Sequence, residues 1–549
     1  MRLCLALLAS AIVFAQLGHA HDTGPGERAA RQRRHHELVA AGQTLRLERR
    51  ASTTTKVSTT TKATSSTKLT SSSKTSSSSK SSSASSKTSS SSKTSSVTKA
   101  STTSKAATTP MKASSSSQAS SSSSATKAPT SPPTTAPPSS TSSGSTSGST
   151  TASPTTTTCA PKYTASKMIK GTGTLPKPST FVNKTPNSNK LTLDGSPFTI
   201  VGPNIFWLCQ GQDYGPVGNY TDKSMVREAL AMAVALGANT IRALSCGIST
   251  GTAGGTNPYS LEPTRGTFNN AAWDIRDYVL YAAKQYGLRV ILTLTDNYAY
   301  YHGGKYDFLN WRNVSTANKG AAFYTNKAVI GDFETYITKF LTRVNSYTGV
   351  AYKDDPTIIA WETGNEFGGY INAEVWPPAS WTTAIIAWIW KYDTKHLIID
   401  GTNGFWNYTT GATSPGLNIS GVDIVSDHGY PRNTGIITKE LALAKAARKN
   451  FLIGEYDWTP QSSTSLATYL NLIESWKPLV GDIFWGLQGR DPQCCNYIKH
   501  GDGYSMYYPN GGTTAETANM LLVAQHWYRM TNRTPPTQLV GVSCPQPVF

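Results

Sequence analysis

Between Pro197 and Leu487, short runs rich in β-branched and aromatic residues recur eight times, and most lead into a stretch with helical periodicity. PFTIVGPNIFWL precedes the amphipathic segment DKSMVREALAMAVALG, and ANTIRAL precedes AAWDIRDYVLYAAKQYG. LRVILTLT is followed by KAVIGDFETYITKFLTRVNSYTG, and TIIAWETGNE by WTTAIIAWIWKYD. LIIDGT, VDIVSDHGY, FLIGEY and DIFWGL complete the strands; TKELALAKAARK, SLATYLNLIESW and AETANMLLVAQHWYRM supply the later helices. Runs that are apolar at nearly every position suit strands covered on both faces. Eight of them alternating with helices predict a parallel α/β fold, and the count favours a closed (β/α)8 TIM barrel over an open sheet. In such a barrel the working residues stand at the carboxyl ends of the strands.

The strand ends can therefore be searched one by one. The first offers Asn204, Phe206 and Trp207, the second Arg242, and the third Asp296, Asn297 and Tyr298. The fourth ends in Asn365 and Glu366, with Gly364 and Gly368-Gly369 allowing a sharp turn. The sixth gives His428 and Tyr430, the seventh Glu455 and the eighth Trp485. Two carboxylates three strands apart, ringed by aromatic and amide side chains, suit the cleavage of a glycosidic bond. Trp207, Tyr298 and Trp311 read equally well as sugar platforms or as packing, and the aromatics of WTTAIIAWIWKYD read as helix core.

The preceding 158 residues cannot build such a core. Residues 1–20 have the charged start, apolar centre and small-residue end of a signal peptide, so secretion is expected. Residues 21–50 end in Arg49-Arg50, which resembles a kexin-type processing site, so the segment reads as a propeptide, with an ordinary charged tail as the alternative. From 51 to 158 the chain is almost wholly Ser, Thr, Lys, Ala and Pro, with lysines recurring about every six residues. That composition cannot offset chain entropy, so a disordered, O-glycosylated stalk is expected, able to adhere to a cell wall. The 159–549 remainder is then the catalytic domain. The net charge of +19 would suggest nucleic acid, but 19 of the 51 basic residues and only four of the 32 acids precede Cys159. The remainder is near +4, with no basic face to argue for nucleic-acid binding. Cys159, Cys209, Cys246, Cys494, Cys495 and Cys544 allow three disulfides in any of 15 pairings. No histidine stands at ligand spacing from them, so no metal is expected. Sequons occur at Asn183, Asn219, Asn313, Asn407, Asn418 and Asn532.

The order IR, NE, HGY, GE and W along the strand ends resembles glycoside hydrolase family 5. VGPNIFWL, the DNYAYYHGG loop and the segment from Phe323 to Glu366 are similar to the fungal and plant endo-β-1,4-mannanases of that family. The resemblance implies a retaining double displacement with Glu366 as acid/base and Glu455 as nucleophile. It further implies that Asn365 binds the hydroxyl beside the reacting carbon and that Tyr430 and Arg242 hold Glu455 ionised. His428 would share that network, Trp485 would floor the reacting subsite, and Asn297 and Trp207 would also contact substrate. No cofactor is implied, and a monomer acting on a β-mannan polysaccharide is expected. Two departures bear on substrate. Phe367-Gly368 stand where those enzymes usually have Pro and Arg, and Tyr298 stands where a Trp is common. A β-glucanase, or a wall-polysaccharide-binding glycoprotein without activity, are the alternatives.

Overall fold

The computed structural model describes residues 175–549, other than 186–187, 211–219, 244–245, 249–256, 299–302, 369–375 and 477–478. The signal-like segment, the 21–50 segment, the Ser/Thr/Lys tract, Cys159 and Asn219 lie outside the described residues.

A small antiparallel sheet comes first: β1 (Asn183–Lys184), β2 (Leu191–Leu193) and β3 (Ser196–Phe198). The barrel strands follow as β4 (Ile200–Pro203), β5 (Thr240–Ala243), β6 (Arg289–Thr293) and β7 (Ile358–Glu362). The second half is β8 (Leu397–Ile399), β9 (Ile424–Gly429), β10 (Asn450–Tyr456) and β11 (Leu479–Phe484). Their order is β4-β11-β10-β9-β8-β7-β6-β5, parallel throughout. The ring closes where β4 meets β5: Asn239 N–H donates to the Val201 carbonyl at 3.0 Å, and Ile205 N–H to the Arg242 carbonyl at 3.0 Å. The eightfold strand reading of the sequence is thus the observed fold.

The longer helices are α1 (Lys223–Leu236), α2 (Asn270–Tyr286), α3 (Lys327–Thr342), α4 (Ala379–Trp390), α5 (Thr434–Ala447), α6 (Leu466–Glu474) and α7 (Thr514–Met530), with two short helical turns, Lys305–Asn310 and Ala317–Gly320, ahead of α3. Side chains of Asp222, Asn269, Asn326 and Asn433 accept the orphan N–H groups at four starts, and Thr513 with Glu516 forms a capping box at α7. Between β8 and β9 only a 3-10 turn, Pro415–Asn418, is present.

Two apolar layers result. Inside the ring Ile200, Ile291, Ile359, Ile399, Ile424 and Leu452 pack with Val182 and Leu191, so the lead-in hairpin plugs the amino-terminal end. The larger layer lies between strands and helices. The aromatics of α4 correct one sequence expectation. Trp381 is buried beside Ile385, Ile386 and Ile389, but Trp390 and the nearby Tyr392 are exposed. The buried stripe recurs every three to four residues, and Trp390 and Tyr392 fall off it. Cys209 pairs with Cys246, tying the segments after β4 and β5, and Cys495 pairs with Cys544. Asn183, Asn313, Asn418 and Asn532 are exposed.

Candidate active site

Strand β7 does not stop at Glu362. Asn365 N–H donates to the Thr295 carbonyl at 2.8 Å and Asn297 N–H to the Asn365 carbonyl at 3.0 Å, so the pairing with the β6 side continues into the loops. The chain then turns through Glu366 itself, whose φ of +56° is left-handed, a conformation that costs a non-glycine residue on the order of 1 kcal/mol. Phe367 anchors the turn from behind. It is fully buried against Phe323, Tyr324 and Trp381, and its ring lies 2.2 Å from where a β-carbon on Gly364 would sit. Gly364 therefore cannot be exchanged while that ring is in place. Phe367 N–H donates to the Gly401 carbonyl and Gly368 N–H to that of Glu366. A burial this complete removes Phe367 from any substrate contact.

Arg242, at the centre of the barrel mouth, is itself fully buried. Its Nε donates to Glu362 Oε2 at 2.8 Å, Nη1 to Glu455 Oε1 at 2.8 Å and to Asn204 Oδ1 at 2.9 Å, and Nη2 to Asn365 Oδ1 at 2.8 Å. One guanidinium thereby ties together residues from β4, β7 and β10. Tyr430 O–H donates to the other oxygen of Glu455 at 3.0 Å. Burial raises the pKa of Glu455, the positive charges of His428 and Arg242 pull it down, and Glu366 raises it again. His428 lies between the carboxylates, Nδ1 being 2.7 Å from Glu366 Oε1 and 3.5 Å from Glu455 Oε1. Burial works against its imidazolium, but Glu455 and Glu366 outweigh burial and raise its pKa. Asn365 is fixed at both ends, its Nδ2 donating to Asp296 Oδ1 at 3.1 Å. Asp296 is pushed up to about 7 by burial, partly offset by that bond.

Atoms of Glu366, His428 and Glu455 all lie within 4.8 Å of one another. That spacing would admit a cation, yet Arg242 and the raised His428 already supply positive charge there. What the arrangement suits directly is a pair of carboxylates on either side of one reacting carbon, at the separation of a nucleophile and an acid and too close for a water between them. Side-chain exposure is 12% at Glu366 and 6% at Glu455, so both are accessible from the mouth but largely desolvated.

The remaining sequence candidates divide. Trp485 is half-buried, stacked on Phe206 at 5.3 Å, with Nε1 donating to Asp502 Oδ2 at 2.8 Å. Its place at the mouth fits a subsite floor. Trp207 is a correction: it has no exposed surface, and Nε1 donates to the Leu487 carbonyl at 2.9 Å, so it is core. Asn297 and Arg242 are each only 1% exposed, so neither presents surface for the substrate contact expected of it. Trp311 packs edge-on against Phe308. Sequence reading passed over Glu362, whose Oε2 also takes the Thr293 hydroxyl. The signal was a charge inside an otherwise apolar buried strand. Asp502, in an irregular loop, had no such signal.

A family profile described as GH family 5 beta-mannosidase-like matches residues 179–463. Mannan endo-1,4-beta-mannosidase 1 of Oryza sativa subsp. japonica is 34% identical over 250 residues, 45% of this chain and 53% of that one. Mannan endo-1,4-beta-mannosidase 5 of Solanum lycopersicum is 30% identical over 254 residues, 44% of this chain and 56% of that one. The chain thus spans about half the length of these curated relatives. Among solved structures, the endo-1,4-beta-mannanase of Rhizomucor miehei superposes with a TM-score of 0.52 at 23% identity, over 64% of this chain and 100% of the other. That likeness speaks to the fold.

Proposed function

The chain belongs to the GH family 5 beta-mannosidase-like family, and from that premise we propose that it is a retaining glycoside hydrolase cleaving β-1,4-linked mannans. The observation that carries the reading is the Glu366–Glu455 pair, with atoms within 4.8 Å and Arg242 and Tyr430 fixed on Glu455. Glu455 attacks the anomeric carbon while Glu366 protonates the departing glycosidic oxygen, giving a covalent glycosyl-enzyme. Glu366 then takes a proton from water as that water displaces Glu455. Arg242 and Tyr430 point Glu455 at the carbon and favour its ionised form. Two carboxyl groups this close hold one proton more readily than separated ones, which suits a pair that needs one acid and one anion. Asn365, braced by Arg242 and Asp296, presents its amide to the sugar hydroxyl beside the reacting carbon, and Trp485 floors the subsite.

Mannan rather than glucan is supported by the names of the relatives and by the Phe323–Glu366 segment. The test is a polysaccharide panel of mannan, galactomannan, glucomannan and β-glucan, read by reducing ends and product length beside Glu455→Ala. Release from mannans, abolished in the variant, supports the reading; release from β-glucan alone reassigns the substrate, and no release from any polymer refutes the reading. Secretion and wall association through the 51–158 tract belong to the same proposal, supported by the signal-like start and by the two described disulfides, which suit an oxidising compartment.

A further inference from the structure

The double displacement needs an acid at Glu366 but does not require the partner found at its second oxygen. Tyr298, in the loop after β6, donates its hydroxyl to Glu366 Oε2 at 2.5 Å, while His428 Nδ1 stands at Oε1. Because His428 also faces Glu455, Oε1 is the oxygen on the nucleophile's side and Oε2 the outer one. Tyr298 is pinned to the same scaffold as Glu366. Its backbone N–H donates to Asp296 Oδ1 at 3.2 Å, the oxygen that also takes the side chain of Asn365, the residue before Glu366.

We propose that Tyr298 is a positioning residue for proton transfer, its hydroxyl fixing the rotation of the Glu366 carboxyl and stabilising the carboxylate left when the proton departs. The inference rests on the reading of Glu366 as the acid/base. A hydroxyl donates more strongly to a carboxylate than to a neutral carboxyl, so the bond strengthens along the reaction and acts on the transition state more than on the ground state. In the first step the proton of Glu366 passes to the glycosidic oxygen as the C1–O bond breaks. The bond's electrons stay with that oxygen, and a lone pair of Glu455 forms the new C1–O bond. In the second step the proton comes back from the attacking water, whose oxygen bonds to C1 as the ester to Glu455 breaks. Tyr298 keeps its own proton throughout; only the strength of its bond changes.

Tyr298→Phe keeps the ring and removes the donor, which separates this role from sugar stacking or packing. On a β-1,4-mannan oligosaccharide, kcat should fall about ten- to a hundredfold, the loss expected for one hydrogen bond to a charged group, with KM little changed. The basic limb of the kcat/KM profile should move to higher pH, because a carboxylate without its donor holds its proton longer. Glycosylation by aryl mannosides with good leaving groups, which need little protonation, should be spared, and the melting temperature should stay within a few degrees. A wild-type pH profile and kcat in Tyr298→Phe, or equal losses on both substrate types, overturn the proposal. If the unaltered protein cleaves neither substrate, the reading of the site fails as well; if it is active and Glu455→Ala is not, a silent Tyr298→Phe sinks the inference alone.

Discussion

Replacing Arg242 by Met keeps most of the side-chain volume and removes the charge on which the barrel mouth is built. The wild-type guanidinium makes four hydrogen bonds, two of them to the carboxylates of Glu362 and Glu455, whose side chains are 1% and 6% exposed. Breaking a buried pair from one side leaves uncompensated charge and costs about 3–5 kcal/mol. For the 375 residues from 175 to 549, an unfolding entropy of about 2.1 cal/mol/K per residue turns that into a fall of about 4–6 °C in melting temperature. The loss should depend on pH. Burial already raises the pKa of Glu455 and Arg242 is one of the three groups, with His428 and Tyr430, that lower it, so the variant raises it further. A carboxyl whose folded pKa lies above its unfolded value contributes stability that is complete below the unfolded value and lost as pH rises through the folded one. Arg242→Met should therefore lie closest to wild type near pH 4 and fall away toward pH 7.5. Activity should drop on the order of a hundredfold or more, since Glu455 is then both less ionised and less fixed. Differential scanning calorimetry at the two pH values, with kcat at each, checks this. A melting temperature within 1 °C of wild type at pH 7.5, or a larger loss at pH 4 than at pH 7.5, would refute the reasoning.

Phe367→Ala should cost about 3–5 kcal/mol by emptying the space between Phe323, Tyr324 and Trp381, while the oligosaccharide product pattern stays that of the wild type; an altered pattern with unchanged stability would place Phe367 against substrate. His526, buried between Glu474 at 2.8 Å and Asp482 at 2.9 Å, is pushed up to about 9 because those two carboxylates outweigh the opposing effect of burial. Its stabilisation is complete below the usual imidazole value and disappears as pH rises through about 9, so His526→Asn should be less stable by about 3 kcal/mol at pH 6 and show a narrowing gap toward pH 9.5; a gap that does not change with pH counts against it. Glu366→Gln should lower polymer turnover by about 10²–10⁴ yet leave covalent labelling by an aryl mannoside with a good leaving group detectable, and loss of both would argue that Glu366 does not act as the acid.

The barrel could be read from the sequence because strands buried on both faces leave an unbroken apolar signal. The carboxyl-end rule then brought Asn204, Arg242, Asn365, Glu366, His428, Tyr430 and Glu455 to one place. The lead-in hairpin was not legible, since strands of two or three residues carry too few side chains to show a period. Trp207 misled because its position just past a strand end suits either an exposed platform or a core ring, and only the Leu487 carbonyl accepting from its indole decides between them. Phe367 misled differently. A departure from a family pattern beside a catalytic residue suggests altered subsites, whereas its ring fills the slot left by Gly364 on the far side of the turn. Tyr298 illustrates the limit of residue identity: an aromatic side chain in a loop suggests stacking, and its hydroxyl's partner is visible only in three dimensions.

Whether Glu366 and Glu455 act as one retaining pair is tested most directly by the anomer first released from a β-1,4-mannan oligosaccharide. Proton NMR recorded before mutarotation should show the β-anomer building up first and the α-anomer following as the product equilibrates. An α-anomer released first would mean single displacement by water, which the Glu366–Glu455 spacing does not accommodate, and would contradict the account.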